Sequence, residues 1–259
     1  MATAPTVRSS RAKLHVRGTW SAREDRVPSA VWLGILCVGI IAGFGMDIPR
    51  YMHENPPASW VVHVHAAVFT IWLLLLAAQV LLVLRDRVAW HRRLGWFAAG
   101  WACLMAVMGP WAAMASKVPH LHDDPSGPPF LSVNLLDIAG FLILLAWGIA
   151  LRKNPAAHKR MMILATVSLA DPGFSRISGY FLPEPTHVIP WFAEVFYGNV
   201  LLIVLMVAWD WWRGRLIRSF VMGAAALLLT EYGATLLYFW GPWRTLSTAW
   251  VEAWARHFS

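Results

Sequence analysis

Residues 60–84 read WVVHVHAAVFTIWLLLLAAQVLLVL, with His63, His65, Thr70 and Gln79 as the polar interruptions. The hydrocarbon core of a bilayer is crossed by about 20 apolar residues in a helix. This run is long enough, and it lacks the alternation that a lipid-facing barrel strand shows. It reads as a membrane-spanning helix. Working outward, six further runs have the same character, at approximately 30–47, 95–116, 130–151, 160–181, 191–212 and 217–241. Pro49, Pro56 and Pro57, then Pro119, Pro125, Pro128 and Pro129, then Pro183, Pro185 and Pro190 punctuate them. The run at 160–181 is itself interrupted by Asp171, Pro172, Gly173 and Arg176. The expected fold is all-α: a polytopic bundle of about seven transmembrane helices.

Composition agrees. Of 259 residues 58% are hydrophobic and 14% charged, and the mean hydropathy is +0.51. A soluble domain carries about a quarter charged residues, so this chain lacks the charge to cover a water-facing surface. The 17 Trp suit the headgroup boundary. The net charge of +8 sits in short links between apolar runs, where it sets topology, and nucleic-acid binding is not expected. Cys37 and Cys103 lie in separate apolar runs and form neither a disulfide framework nor a CxxC metal motif.

Orientation follows from the basic residues. The N-terminal arm carries Arg8, Arg11, Lys13, Arg17, Arg23 and Arg26. The links on the same side add Arg85, Arg87, Arg92 and Arg93, then Arg152, Lys153, Lys159 and Arg160, then Arg213, Arg215 and Arg218. The other side has Arg50, Lys117, Arg176, Arg244 and Arg256. The positive-inside bias predicts the N-terminus in the cytoplasm and the C-terminus outside. The chain divides into a basic cytoplasmic arm (1–27), a seven-helix domain (28–242) and a Trp-rich tail (243–259). The arm has no apolar h-region and does not read as a cleaved signal. Trp243, Trp250, Trp254 and Phe258 give the tail one apolar face, for the outer surface or for the bundle.

Ionisable groups in membrane runs need a partner or a wet cavity. With the topology above, Asp47, Asp137, Asp171, Arg176, Glu194 and Glu231, with Asn134 and Asn199, converge on one outward-opening polar region, while the inner half of the bundle looks almost free of charge. His63 and His65, two apart, cannot face one direction on a regular helix. With His120, His122 and Asp123 in an outer loop they form a candidate set for a transition metal, since imidazole and carboxylate suit zinc, copper or iron. On the cytoplasmic side His91-Arg92-Arg93 and His158-Lys159-Arg160 repeat one pattern at matched depth. These six are the candidate cofactor residues: two imidazoles for a haem, with cations for its propionates. Asp137 or Asp171 would orient a ligating imidazole.

The motifs His63-Val64-His65-Ala66, Gln79, His91-Arg92-Arg93-Leu94-Gly95 and His158-Lys159-Arg160-Met161-Met162, followed by Arg176, resemble a family of uncharacterised bacterial multipass membrane proteins over residues 60–180. More loosely they resemble transmembrane b-type cytochromes and ferric-reductase-like proteins, which carry paired His well inside neighbouring helices, whereas these lie near helix ends. The resemblance implies a bacterial inner membrane and a redox role with haem b or another metal. Quinone and other membrane subunits are the partners it admits besides the bilayer. An accessory or assembly subunit and a small-solute or proton transporter are the alternatives.

Overall fold

The computed structural model describes residues 25–55, 57–181 and 187–258, and the N-terminal arm expected over 1–27 lies almost wholly outside them. The described residues form helices and no strand. They are α1 (Arg26–Met52), α2 (Trp60–Leu84), α3 (Val88–Lys117), a 3-10 turn at Pro128–Phe130, α4 (Leu131–Ala150), α5 (Pro155–Val167), α6 (Asp171–Phe181), α7 (Val188–Trp212), α8 (Arg218–Phe239) and α9 (Gly241–Phe258). Six helices, α1 to α4, α7 and α8, are long and apolar enough to cross a membrane. Their outer faces carry large apolar side chains such as Val38, Leu74, Trp96 and Leu229, all more than half exposed. That is the surface of a protein whose solvent there is lipid.

Several boundaries differ from the sequence expectation. Helix α1 runs through Pro49, which costs a membrane helix one backbone bond without ending it. Helix α3 begins at Val88, so the basic His91-Arg92-Arg93 motif lies inside its first turns. The run at 160–181 is two helices, separated at Ser168–Ala170. Pro172 has no N–H for the carbonyl four residues back, and its ring clashes there, so α5 stops and α6 restarts with Pro172 in its first turn. Helix α5 itself starts cleanly. The Asn154 side chain accepts from the Ala157 amide at 3.2 Å, and Pro155 occupies the first helical position.

Helix α4 lies at the centre, packed on α3, α5 and α8. Phe141, Leu144, Met161, Leu164, Phe220 and Leu227 fill the core between them. Polar groups tie the helices together. Trp72 Nε1 donates to Thr166 Oγ1 at 3.2 Å, Trp101 Nε1 to the Val68 carbonyl at 3.0 Å, and Ser132 Oγ to the Ala234 carbonyl at 2.9 Å. Helix α1 meets α6 backbone to backbone: a Cβ on Gly43 would stand 1.7 Å from the Gly173 carbonyl oxygen. Phe174 fills the space beside Gly39 of α1 and Gly198 of α7. Helix α9 packs on the bundle through Trp243, Ser247 and Val251, and Trp243 Nε1 donates to the Pro129 carbonyl at 2.9 Å.

The bundle has two ends. The starts of α1, α3 and α5 and the α7–α8 link meet at one, called here the basic end. The end of α1, the start of α2, the 3-10 turn and α9 meet at the other. The broken pair α5–α6 runs from one end to the other: Arg160 bonds Asp25 at the basic end, and Arg176 bonds Asp47 near the opposite end.

Candidate functional site

At the basic end His91 of α3 and His158 of α5 come together, with ring centroids 6.3 Å apart and planes at 89°. Each Nδ1 faces a backbone carbonyl, that of Gln79 at 3.4 Å for His91 and that of Gly148 at 2.8 Å for His158. A carbonyl accepts, so Nδ1 carries the proton and Nε2 of each neutral ring keeps its lone pair. Carbonyls thus orient these rings, not Asp137 or Asp171. Gly95 lies one turn along α3 from His91, on the same face, and the nearest atom to a Cβ there would be Gln79 Nε2 at 3.5 Å. Gln79 Oε1 is buried with no hydrogen-bond partner.

The cations beside these histidines divide. Arg92 and Arg93 are exposed, with the Arg93 guanidinium over the Trp90 ring. Arg160 is buried and committed elsewhere. It donates to both carboxylate oxygens of Asp210 on α7 and, at 2.9 Å, to Asp25 before α1; Lys159 also bonds Asp25. The basic half of the bundle, expected to be almost free of charge, therefore is not. Asp25 and Asp210 were not legible as sites: Asp25 sits next to Arg26, and Asp210 lies three residues before Arg213 at the end of an apolar run. Nothing local marks them as the counter-ions of a buried arginine.

A second group lies deeper, where α5 breaks. Asp137 of α4, Asp171 at the start of α6 and Glu231 of α8 are 7%, 1% and 1% exposed. The Asp137 and Asp171 carboxyls are within hydrogen-bonding reach of one another. Glu231 Oε1 accepts from Asn199 Nδ2 of α7 at 2.8 Å. Asn134 Oδ1, Asp171 Oδ1, Asn199 Oδ1 and Glu231 Oε2 have no partner. Arg176 donates to Asp47 at 2.9 Å and to the Pro172 carbonyl, and it covers the Phe44 ring. Asp47 is shared with Arg50, which it holds through two bonds. Glu194 sits beside Gly179, its main-chain carbonyl accepting from Ser178 Oγ at 3.0 Å.

At the end opposite the basic one a cavity of about 270 Å³ opens among α1, α2, α3 and α6, lined in part by Arg50, Glu54, Ser59, Lys117, His120 and Arg176. The expected metal set does not gather there. His63 faces Tyr51 and the Ser59 carbonyl, His65 stacks on Phe69 with its Nδ1 unpartnered, and His120 stands 3.5 Å from Glu54. His122 and Asp123 are exposed. Among the described residues, no three His, Cys, Asp or Glu side chains are grouped to hold a metal ion. No protein-family model matches the chain, and no curated protein or solved structure is significantly similar to it.

Proposed function

We propose that this chain is a redox protein of a bacterial inner membrane whose centre is a haem held between His91 and His158. The observation that carries the reading is the pair itself: two imidazoles from different helices, each with Nδ1 on a backbone carbonyl. The two rings, one from α3 and one from α5, are near neighbours. The pair stands at 6.3 Å. Two imidazoles alone would not complete a bare metal centre, whereas a haem supplies ring nitrogens of its own and would be held by His91 and His158. Beside the pair, the buried Gln79 Oε1 has no hydrogen-bond partner, an acceptor that a bound group would complete. When bound, the haem would pass single electrons, with quinone a partner of suitable chemistry. The chain's part is to fix the imidazole tautomers through the Gln79 and Gly148 carbonyls and to offer Arg92 and Arg93 to propionates.

The topology belongs to the same proposal. Counting α5–α6 as one broken span gives seven passes, with the basic end in the cytoplasm and α9 on the outer surface. Among the described residues twelve Lys and Arg on the basic side support it, against five on the other.

The test is gentle purification from the native membrane with an absorption spectrum and metal analysis. A Soret band is expected, lost in His91→Ala and in His158→Ala and kept when His63 and His65 are both replaced by Ala. Wild-type protein that is folded but carries neither chromophore nor metal sinks the redox reading and leaves an accessory subunit. Metal lost only with the outer histidines moves the centre to the other end.

A further inference from the structure

We propose that the Asp137–Asp171–Glu231–Asn199 cluster is a proton-binding site, filled from the cavity at the end opposite the basic one by way of Arg176. Burial in an apolar interior is tolerated by a carboxylate only when a cation or donors complete it. Here three carboxyls from α4, α6 and α8 share one buried region, and no ammonium or guanidinium among the described residues stands within ion-pair distance of any of them. Two carboxyls in contact hold one another only through a proton. Asn199, fully buried, spends its amide donor on Glu231 and leaves its own Oδ1 facing no donor. The unpartnered atoms of the cluster, on Asp171, Glu231, Asn199 and the neighbouring Asn134, are all acceptor oxygens. What completes such a set is a donor: a proton on a carboxyl, and the water that brings it.

A metal cation is the weaker candidate, since the three carboxyls are not grouped around a common point. The charged groups acting on the cluster are its own members and Arg176. The route follows from the same arginine. Arg176 lines the cavity while one of its nitrogens donates to the carbonyl of Pro172, the residue after Asp171, so this one side chain joins the cavity to the backbone beside the carboxyl pair. Toward the basic end the path is closed by Phe141, Leu164, Val167 and Leu227, none more than 2% exposed. The step is simple in balance: hydronium in the cavity gives a proton to a carboxylate oxygen and leaves water.

Infrared spectroscopy of the purified protein in lipid vesicles tests this. The expected result is a protonated-carboxyl carbonyl band at neutral pH that shifts in D2O and is diminished in Asp171→Asn and in Asp137→Asn. Should those variants fail to fold, the wild-type band and its deuterium shift still decide. In vesicles of one orientation the shift should follow the solution bathing the Lys117 side. No such band in wild type, or a band untouched in folded variants, overturns the site. A band abolished by Na⁺ or K⁺ at constant pH replaces the proton with a metal cation. A shift that follows only the Arg160 side overturns the route.

Discussion

Replacing Gly43 by Ala adds one methyl group at the place where the bundle has no room for it. The new Cβ would lie 1.7 Å from the carbonyl oxygen of Gly173 and 2.6 Å from its carbon, whereas ordinary contact begins at 3.4 Å. The obstacle is backbone, so no side chain can swing aside, and α1 and α6 must separate by about 1.5–2 Å at the crossing. That separation opens the seat of Phe174, which is wedged between Gly39 and Gly198, and draws Arg176 away from Asp47. Overpacking costs about 1–3 kcal/mol when side chains can adjust; a backbone clash belongs at the upper end, near 3 kcal/mol. The control is Gly45→Ala, two residues along the same helix, where a Cβ meets nothing within 4 Å. There the helix propensity of Ala makes the change neutral or stabilising by up to about 1 kcal/mol. At about 2–4 °C per kcal/mol for a chain of this size, Gly43→Ala should melt about 6–12 °C below wild type and Gly45→Ala at or above it. Thermal unfolding in detergent, followed by tryptophan fluorescence or by exposure of the half-buried Cys37 thiol, reads the difference. Equal melting of the two variants would refute the close α1–α6 crossing.

The remaining predictions use the two ends of the bundle. Arg160→Met strands Asp210 as a buried carboxylate and takes one cation from Asp25, which keeps Lys159, and should cost about 3–5 kcal/mol, while adding Asp25→Asn and Asp210→Asn should recover most of it. Denaturation of the single and triple variants checks this, and equal losses would mean the ion cluster is not a unit. On a background lacking Cys37 and Cys103, an impermeant thiol reagent on intact cells should label Asp123→Cys and Arg256→Cys and spare Lys153→Cys. Labelling of Lys153→Cys reverses the orientation, and protection of Arg256→Cys removes the α5–α6 pass.

The two proposed sites differ in kind. The histidine pair uses residues whose spacing and neighbours repeat along the chain, so a cofactor centre there was a candidate from the motifs alone. The carboxyl cluster repeats nothing. Asp137, Asp171 and Glu231 stood out in the sequence as costly groups in apolar runs, but their contact partners lie on other helices and only folding names them.

Read alone, the sequence determined the membrane class, because continuous hydrophobicity is a property of the chain and lipid requires helices to satisfy the backbone. It placed α2 at 60–84 without error, since that run has no internal breaker and ends at charged Arg85. It also marked His91 and His158 as a matched pair. Tertiary structure decided what charge and hydropathy leave open. It divided 160–181 at Ser168–Ala170, where a proline in the first turn of α6 prevents one continuous helix. It gave Arg176 to Asp47, and Arg160 to Asp25 and Asp210, because a buried guanidinium takes the carboxylate that packing brings within reach, however distant in sequence. It dispersed His63, His65, His120, His122 and Asp123, which one side of a membrane had grouped only by topology. Depth along a helix can be read from a sequence; the direction a side chain faces across the bundle is set by which helices pack together.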